Sequence, residues 1–394
     1  MLLLTCLLLE VVTRVFWRTD QALTIFNRQI MLLPLPLATP EQIKILAEWS
    51  KDTGTYLQFD PVLGWSIRPN VTAEWEGHTY TSNSIGLRSL REYSLVAPEG
   101  VTRIAAFGPS FTHGDEVQGY ETWEAQLEQV RPDLEVMNWG VGGYGTDQAF
   151  LRYKTQGVAY RPDIVIIGFE EENISRNVNR FRSFYRPGTG LPLTKPLFIT
   201  DTTGLALLGN PFQTFDDFYQ TLLHEPELFI DKICPADLFC DERFYHSQPF
   251  DFLASFRFFR TLSAEIDSQR QAVAPIRQER AAQITFLIVQ MFIRDIIQNQ
   301  AVPLVVVFPE QATMANYEHG VLPPYHTGVV VLRDNGIQVI DLAGVFAEAK
   351  RTQQLQYQDF FASEGGHFNA RGNQVVAQAI LWHLCSQGLL KNCS

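Results

Sequence analysis

The sequence predicts an α/β protein with a three-layer α/β/α architecture built on a parallel sheet. Three units of an apolar strand followed by a helical segment occupy residues 101–177, and the same alternation resumes over residues 302–384. Units of this length connect parallel strands and place helices on both faces of the sheet. The composition, with 46% hydrophobic and 19% charged residues, is that of a folded globular chain, so we expect a sizeable core.

The strands are predicted from short apolar runs that end at glycine, proline or polar residues. In chain order, the predicted strands cover residues 104–107, 134–138, 162–169, 302–309 and 338–342. The helices are predicted from apolar residues at helical spacing, and the longest covers residues 280–298. The other predicted helices cover residues 122–130, 147–157, 170–177, 329–334 and 369–384. These elements define a domain over residues 101–394.

A lead-in segment, residues 39–100, precedes this domain. Thr39 followed by Pro40 predicts the start of a helix, because Thr is a good cap and Pro is favoured in the first turn. Beyond this helix, the segment is rich in Thr, Tyr, Trp, Pro and Gly, which predicts short strands at residues 56–61 and 64–67 and a hairpin over residues 72–81. We expect the lead-in segment to pack on the domain that follows.

Residues 178–279 interrupt the strand–helix alternation. They begin with a loop rich in Pro and Gly at residues 186–192. The rest of the segment is rich in Phe and Asp but has no clean periodicity. We therefore expect a large, partly helical insertion that lies over the sheet edge or over the site.

The first 17 residues are strongly apolar, yet they include Glu10 and Arg14. A membrane-spanning helix needs about 20 apolar residues, and a signal peptide needs a basic start and a small-residue cleavage site, so neither template fits well. Trp17 and Arg18 suit an anchor at a membrane interface. We interpret residues 1–38 as a membrane anchor or extension that holds the domain outside the cytoplasm. The alternative is an amphipathic helix packed on the domain or on a partner.

Charge and cysteine content limit the partners and the compartment. The formal net charge is −12 and no cluster of Lys and Arg is present, which excludes a nucleic-acid backbone as the expected partner. Of the five cysteines, Cys234 lies close to Cys240, and Cys385 lies close to Cys393. Each pair forms a small disulfide loop in an oxidising compartment or stays as two thiols, and spacing alone leaves both interpretations open.

Polar residues cluster where predicted strands end. Ser110 follows the strand at residues 104–107, a glycine-rich segment follows the next strand, and Asn173 follows the third. In open α/β sheets, ligands bind in the crevice beyond the carboxyl ends of the strands, where a serine is well placed as a nucleophile. Taken by itself, Ser110 is better explained as a helix N-cap, and only the other clusters favour a catalytic role.

These clusters resemble the SGNH (GDSL-like) hydrolase family. The resemblance lies in four blocks, which are residues 108–110, 138–146, 168–173 and 363–369. It covers residues 101–177 and 302–384 but not the insertion. The segments at residues 60–65 and 83–88 also look like the lead-in of membrane-anchored bacterial members. The resemblance implies a flavodoxin-like three-layer fold and hydrolysis or transfer of an acyl group.

The resemblance also implies a role for four residues. Ser110 matches the nucleophile, His367 the base, and Gly143 and Asn173 the groups that bind the oxyanion. These roles are physically reasonable, because a serine hydroxyl needs a base to take its proton and a histidine titrates near pH 6.5. The backbone N–H groups of Ser110 and Gly143 and the amide of Asn173 would supply three oxyanion donors, each typically worth about 3 kcal/mol in the transition state. The structural alternatives are a surface histidine for His367 and a helix N-cap for Asn173.

Two positions depart from the family pattern. Pro109 stands where the family usually has an Asp before the serine, and Ile174 stands where an Asp usually follows the asparagine. Proline fixes φ and removes an N–H next to the nucleophile. Both changes leave the expected nucleophile, base and oxyanion donors in place, but both are able to distort the turns that carry them.

The acidic residue that should orient the histidine base also departs from the family pattern. Family members usually place an Asp two or three residues before the histidine, and Gly365 and Glu364 hold those positions here. We therefore expect Glu364 to orient His367, with Asp359 as the second choice. The alternative for Glu364 is a solvated loop carboxylate. The acidic residues that follow Ser110, including Glu116, are interpreted as loop residues without a catalytic role.

The expected function is that of a serine esterase or acyl hydrolase, or an acyltransferase. The resemblance implies an ester or O-acetyl substrate on a small molecule, carbohydrate or lipid, and it implies no metal or organic cofactor. The rival hypothesis is a catalytically inactive scaffold of the same fold, which serves as a membrane-tethered binding or assembly subunit with a protein partner. Pro109, Ile174 and the missing Asp before His367 motivate this rival.

Overall fold

The structure, a computed structural model, describes residues 2–15, 17–19, 22–25, 28–51, 54–202, 204–272, 275–391 and 393. Parts of the segment 1–38, Met1 and Phe16 among them, lie outside the described residues. In chain order, the strands are β1 Trp17–Thr19, β2 Ala22–Ile25, β3 Arg28–Met31, β4 Leu57–Asp60, β5 Gly64–Ile67, β6 Thr72–Trp75, β7 His78–Thr81, β8 Thr102–Phe107, β9 Leu134–Asn138, β10 Ile164–Phe169, β11 Leu197–Asp201, β12 Gly204–Leu208, β13 Val302–Val307 and β14 Gln338–Asp341.

Helices alternate with strands over residues 102–176 and again over residues 302–386. In chain order, they are α1 Leu2–Val15, α2 Pro40–Trp49, α3 Ser110–His113, α4 Trp123–Val130, α5 Thr146–Thr155, α6 Asn173–Arg176, α7 Arg182–Tyr185, α8 Phe215–His224, α9 Pro226–Ile233, α10 Ala254–Ala272, α11 Pro275–Gln298, α12 Gln311–Glu318, α13 His326–Asp334, α14 Leu342–Gln353 and α15 Ala370–Ser386. The predicted strands 104–107, 134–138, 162–169, 302–309 and 338–342 correspond to β8, β9, β10, β13 and β14.

The central sheet has five parallel strands in the order β14-β13-β10-β8-β9. Counted along the chain within this sheet, that order is 2-1-3-4-5, which is the doubly wound, flavodoxin-like arrangement. The predicted α/β class and the three-layer parallel sheet are therefore confirmed. The order reverses between β8 and β10, so the crevice for a ligand lies beyond the carboxyl ends of these two strands.

Alternate side chains of the sheet strands supply a core on each face. Ile104 and Ala106 of β8 belong to a buried cluster with residues of α4, α14 and α15. Phe107 points to the opposite face, where its ring lies 5.5 Å from Tyr153 of α5 and 6.2 Å from Phe292 of α11. Because successive strand residues face opposite ways, this one strand requires a helical layer on each side.

The chain divides into two compact units. The sheet unit comprises residues 51–178, 195–210 and 281–394, and the insertion unit comprises residues 1–50, 179–194 and 211–280. The sequence analysis placed boundaries after residues 38 and 100 and an insertion at 178–279. In the structure, the lead-in segment is instead divided after residue 50, and its four strands belong to the sheet unit as the hairpins β4–β5 and β6–β7.

Helix α1 packs on helix α10 within the insertion unit. The carboxylate of Glu10 accepts hydrogen bonds from the backbone N–H groups of Ala254 and Ser255 at 3.0 and 2.9 Å, so it caps the first turn of α10. Burial opposes ionisation of Glu10, but the hydrogen bonds from Ser255, Ala254 and Arg14 outweigh it and lower its pKa to about 2. This packing corresponds to the alternative that the sequence left open for this segment. Leu8, Val11, Val12 and Val15 of α1 remain exposed.

Within the described part of the chain, the stretch Arg277–Gln298 is the one helical segment with the length and apolar character of a membrane span. About 44% of that window is buried inside the protein. Ile288, Phe292 and Ile296 of α11 are fully buried, and the Phe292 ring lies 5.2 Å from that of Phe150. These contacts are those of a core helix in the sheet unit.

Both close cysteine pairs are joined as disulfides. Cys234 and Cys240 have Cα atoms 5.1 Å apart, and Cys385 and Cys393 have Cα atoms 5.4 Å apart. Of the two interpretations that spacing left open, the structure has the disulfide loops. One closes a turn in the insertion unit, and the other ties the end of α15 to the C-terminal residues.

Candidate active site

Ser110 lies in a strand–turn–helix unit at the carboxyl end of β8. It is the first residue of the short helix α3, and it is 5% exposed. Pro109 has φ −81°, close to the value that its ring prefers, and its carbonyl accepts hydrogen bonds from the N–H groups of Thr112 and His113 at 3.1 and 2.9 Å. The turn therefore forms with a proline directly before Ser110. At Gly108, a Cβ atom would collide with the Thr112 hydroxyl, so this position needs a glycine.

The glycine-rich loop after β9 lies directly beside this turn. The N–H of Val141 donates to the Gly108 carbonyl at 3.0 Å, which continues the pairing of β8 with β9 past the strand ends. A Cβ atom on Gly140 would collide with the backbone of α3, so only glycine permits this approach. Gly143 has φ +80°, a left-handed conformation that favours glycine. Its assignment as an oxyanion glycine remains a prediction from the sequence.

Asn173 begins α6 beyond the carboxyl end of β10, and its side chain is fully buried. Its Oδ1 accepts from the N–H of Glu170 at 2.9 Å, and its Nδ2 donates to the Tyr144 carbonyl at 3.0 Å. The amide thus joins the segment at residues 168–173 to the glycine-rich loop after β9. A side-chain amide carries two N–H donors, so one N–H is left for a further acceptor.

His367 reaches the same edge from the loop before α15. Its ring lies 4.9 Å from the ring of Phe111, the residue after Ser110, and Phe111 also contacts Phe368 at 4.8 Å. Phe111 therefore packs the serine turn against the histidine loop. The hydrogen bonds of the described residues include none from the Ser110 hydroxyl. Catalytic hydrogen bonds are often long in structures without substrate.

The carboxylate that contacts His367 is Glu116, not Glu364. Oε1 of Glu116 lies 2.9 Å from Nδ1 of His367, and Oε2 accepts a hydrogen bond from the Ser363 hydroxyl at 3.1 Å. Glu364 is exposed. Asp359, the second choice, accepts a hydrogen bond from the N–H of Gln356 at 2.8 Å. The structure thus differs from the sequence-based assignment of the acid.

The charges around His367 favour its protonated form. Burial lowers its pKa, but the hydrogen bond to Glu116 and the negative charges of Asp115 and Glu170 outweigh burial, so the net pKa is raised. The same hydrogen bond lowers the pKa of Glu116, which keeps this carboxyl ionised. A histidine with a raised pKa and an ionised partner is the pairing expected of a general base.

A second histidine–carboxylate pair lies on the same turn. Nδ1 of the buried His113 is hydrogen-bonded to Asp115, and its Nε2 lies 2.9 Å from the Tyr56 hydroxyl. Burial lowers the pKa of His113. Burial also opposes ionisation of Asp115, but the contact with His113 prevails and lowers its pKa to about 2. Since Asp115 accepts only, the neutral His113 donates through Nδ1 and accepts from Tyr56 through Nε2.

The sequence analysis assigned no role to Asp115 or Glu116. Sequence spacing carries no signal for the contact between Glu116 and His367, which are separated by 251 positions. The one sign in the sequence was the acidic pair Asp115 and Glu116 itself, which follows closely after Ser110. In the described part of the chain, no three His, Cys, Asp or Glu side chains are grouped to hold a metal ion.

Comparisons with known proteins give similarities in structure alone. No family model matches the chain, and no curated protein matches it. A member of the lipolytic G-D-S-L family from Veillonella parvula is 11% identical, with a TM-score of 0.37 over 72% of this chain and 97% of that chain. A catalytic mutant of Axe2, an acetylxylan esterase from Geobacillus stearothermophilus, is 9% identical, with a TM-score of 0.37 over 72% of this chain and 94% of that chain. The acetyl xylan esterase AlAXEase is 12% identical, with a TM-score of 0.36 over 71% of this chain and 98% of that chain.

Proposed function

We propose that this chain is an SGNH-type serine hydrolase that acts on an ester or O-acetyl group through an acyl-enzyme. The observation that carries the proposal is the packing of Phe111, the residue after Ser110, against the ring of His367 at 4.9 Å. This contact places the residue that follows Ser110 against the histidine whose pKa is raised by neighbouring carboxylates, which supports the pairing of Ser110 with His367. A serine and a base at the carboxyl edge of a doubly wound sheet are the minimum for nucleophilic acyl chemistry.

The proposed reaction has two stages. The Ser110 oxygen attacks the ester carbonyl carbon while Nε2 of His367 takes the hydroxyl proton. When the tetrahedral intermediate collapses, the bond to the leaving alcohol breaks and His367 returns the proton to that oxygen. Water then attacks the acyl-Ser110 ester, gives a proton to His367, and releases the acid as Ser110 regains its proton. An acceptor hydroxyl in place of water would complete an acyl transfer instead.

In this proposal, groups that follow the carboxyl ends of β8, β9 and β10 bind the oxyanion. The backbone N–H of Ser110, the backbone of Gly143 and the second N–H of the Asn173 amide are the proposed donors. Preorganised donors of this kind each lower the barrier by about 3 kcal/mol. The bond from Asn173 to the Tyr144 carbonyl holds the amide in one orientation, so the donor costs little reorganisation during the reaction.

The proposed substrate is an ester-bearing carbohydrate, lipid or small molecule. The carboxylates of Asp115, Glu116 and Glu170 all influence His367, so the site carries negative charge. A neutral ester is therefore expected to enter more readily than an anionic one.

We further propose that the protein acts outside the cytoplasm, with the segment that includes α1 at a membrane surface. The two disulfides support an oxidising compartment. The apolar side chains that α1 exposes, Leu8, Val11, Val12 and Val15, support the membrane contact. Fractionation of the native host tests both: recovery in the cytosolic fraction would contradict the compartment, and recovery in a salt-washed soluble fraction would contradict the membrane contact.

The experiment that tests the function is labelling of the purified full chain with a fluorophosphonate probe. Wild type should be labelled at Ser110, and Ser110→Ala and His367→Ala should not be. Circular dichroism and thermal unfolding of each variant show that loss of labelling is not loss of the fold. A well-folded wild type that resists the probe would refute the hydrolase proposal.

The rival scaffold hypothesis keeps one specific observation in its favour. The Ser110 hydroxyl makes no hydrogen bond within the described part of the chain, so its activation is not visible in the resting structure. The probe separates the two hypotheses, because a scaffold has no need of an activated serine. A folded but unlabelled wild type would leave the scaffold as the better explanation.

A further inference from the structure

We propose that Glu116 is the positioning carboxylate of this site, so that the turn carrying the nucleophile also supplies the group that orients the base. This inference rests on the proposed function and refines it. It replaces an acid placed just before the histidine with one that is 251 positions away in sequence. Ser110 and Glu116 then belong to the same stretch after β8, and His367 contacts that stretch through Glu116 and Phe111.

The contacts of Glu116 are those of a carboxylate that is held in place. One oxygen lies 2.9 Å from Nδ1 of His367, and the other accepts from the Ser363 hydroxyl at 3.1 Å. Gly366 makes room for it, because a Cβ atom there would lie 2.5 Å from Oε2 of Glu116. The loop before His367 therefore provides both a hydrogen-bond donor, Ser363, and the space at Gly366 that the Glu116 side chain needs.

The Glu116 contact determines which nitrogen of His367 carries the proton. An ionised carboxylate only accepts hydrogen bonds, so the neutral His367 must donate to it from Nδ1. Nε2 is then left with a free lone pair, which is the form that removes a proton from a serine hydroxyl. After proton transfer, the adjacent negative charge stabilises the imidazolium. Without this partner, the tautomer of His367 that carries its proton on Nε2 also forms, and in that tautomer Nε2 cannot accept the proton of the serine hydroxyl.

The backbone at Glu116 shows that this position is maintained at a cost. Glu116 has φ +64°, a left-handed conformation that non-glycine residues rarely adopt. Its N–H donates to the Tyr80 hydroxyl at 2.9 Å, and the guanidinium of Arg88 lies 4.3 Å from the centre of the Tyr80 ring. Strained residues of this kind persist where surrounding structure holds them, and they concentrate at functional sites.

Other charged groups that face His367 do not fill this role. Asp115 and Glu170 raise its pKa through their charge, but Asp115 is bonded to Nδ1 of His113 and Glu170 is bonded to Arg176. Among the described residues, Glu116 is the carboxylate with a hydrogen bond to His367. The proposal is therefore specific to one side chain rather than to the acidity of the site as a whole.

The test compares four variants of the full chain: Glu116→Gln, Glu116→Gly, Glu364→Gln and Glu99→Gln. Glu116→Gln keeps the shape and removes the charge, whereas Glu116→Gly suits the left-handed backbone and so protects the fold. Glu364→Gln removes the acid that spacing alone suggests. Glu99→Gln is a matched control, an exposed carboxylate of the same unit. The readouts are the rate of fluorophosphonate labelling at Ser110 from pH 5 to 9, and an NMR titration of histidine-labelled protein that follows His367.

Both Glu116 variants should label about 10⁴-fold more slowly than wild type at the pH optimum, the scale seen when a triad acid is neutralised. The pKa of His367 should fall, so the acid limb of the remaining activity should move to lower pH. Glu364→Gln and Glu99→Gln should match wild type in both readouts. A Glu116→Gln protein with the wild-type labelling rate or the wild-type His367 titration would overturn the proposal, as would a large loss in Glu364→Gln.

The two readouts keep this inference separate from the function on which it rests. If wild type resists the probe, the hydrolase proposal fails, but the NMR titration still reports whether Glu116 controls His367. If wild type is labelled and the titration of His367 is unchanged in both Glu116 variants, the hydrolase proposal stands and the positioning role of Glu116 is refuted.

Discussion

The guanidinium of Arg88 donates a hydrogen bond to the carbonyl oxygen of His113 at 3.0 Å, which joins the lead-in segment to the turn that carries Ser110. Arg88 also donates to the carbonyls of Gly114 and Val117, and it is 6% exposed. It therefore spans the whole stretch in which Asp115 and Glu116 lie. The lead-in segment is thus part of the candidate site. Without Arg88 the buried carbonyls of Gly114 and Val117 would lose this donor, and the His113 carbonyl would keep only the donor of Asn138 at 3.3 Å.

Replacing Arg88 should weaken both the fold and the site. Arg88→Ala should lower the free energy of unfolding by about 3 kcal/mol or more, since buried carbonyls left without a donor are costly. Labelling of Ser110 should slow as well, because the turn that holds Glu116 loses its support. Denaturant unfolding measures the first effect and fluorophosphonate labelling the second. Arg351→Ala, which removes an exposed guanidinium, should change neither, and equal behaviour of the two variants would contradict this role for Arg88.

The sheet was predictable because its strands are short, apolar and buried on both faces. The predicted strand at residues 134–138 coincides with β9, and the others differ from the observed strands by up to two residues at either end. Parallel strands covered by helices on both sides need such continuous apolar runs, so their signal is local. The positions of Ser110 and Asn173 followed from the same signal, since each comes just after a strand.

The contact of Glu116 with His367 and the boundaries of the two units were not predictable, because they depend on residues that are far apart in the sequence. The contact between Glu116 and His367 depends on two loops that meet only in the folded chain, and Glu116 adopts a backbone conformation for which glycine is the usual residue. The hydrogen bonds from α10 to Glu10 likewise join positions 244 and 245 residues apart. Local patterns describe elements, whereas these features arise from long-range packing.

The buried His113 should make stability depend on pH. Burial lowers its pKa, so folded His113 stays neutral while the unfolded chain takes up a proton near pH 6.5. The free energy of unfolding should therefore fall as pH drops through this range, by up to about 1.4 kcal/mol between pH 7.5 and 5.5. His113→Gln keeps groups that can meet Asp115 and Tyr56 but does not titrate, so its loss of stability over this interval should be smaller. Urea unfolding of both proteins at the two pH values decides the point, and parallel pH profiles would refute it.

Glu124 is a buried acid whose ionisation should oppose folding. Its side chain belongs to α4, it is 2% exposed, and burial raises its pKa well above the ordinary value. Above about pH 4.5 the unfolded chain releases this proton while the folded chain retains it, so the free energy of unfolding falls as pH rises toward the folded pKa. Each unit of pKa difference corresponds to about 1.4 kcal/mol.

Glu124→Gln should therefore be more stable than wild type at pH 8, and this advantage should shrink toward pH 5. Denaturant unfolding at both pH values gives the two differences. The exposed Glu99→Gln serves as the comparison, since it should show no such pH-dependent gain. A Glu124→Gln advantage of equal size at pH 5 and pH 8 would mean that shape or hydrogen bonding, rather than ionisation, accounts for the change.

Substitutions at the two glycines before His367 should have different effects, because Gly366 provides space for a neighbouring side chain whereas Gly365 has a left-handed backbone. At Gly366, a Cβ atom would collide with the Ser363 hydroxyl and crowd Oε2 of Glu116, so Gly366→Ala should displace the carboxylate. At Gly365, a Cβ atom meets open space, but φ is +71°, so Gly365→Ala should lower the free energy of unfolding by roughly 1 kcal/mol. Gly366→Ala should slow labelling of Ser110 with little change in stability, whereas Gly365→Ala should do the reverse.

Gly366→Ala should change mainly the labelling rate and Gly365→Ala mainly the free energy of unfolding, because the two substitutions have different physical effects. One removes the volume into which Glu116 fits, and the other imposes a left-handed backbone on an alanine without touching Glu116. Labelling rates and denaturant midpoints of both variants, measured beside wild type, give all four values. If Gly366→Ala labels as fast as wild type, the space at Gly366 is not what admits the carboxylate, and the fit between the two loops has another basis.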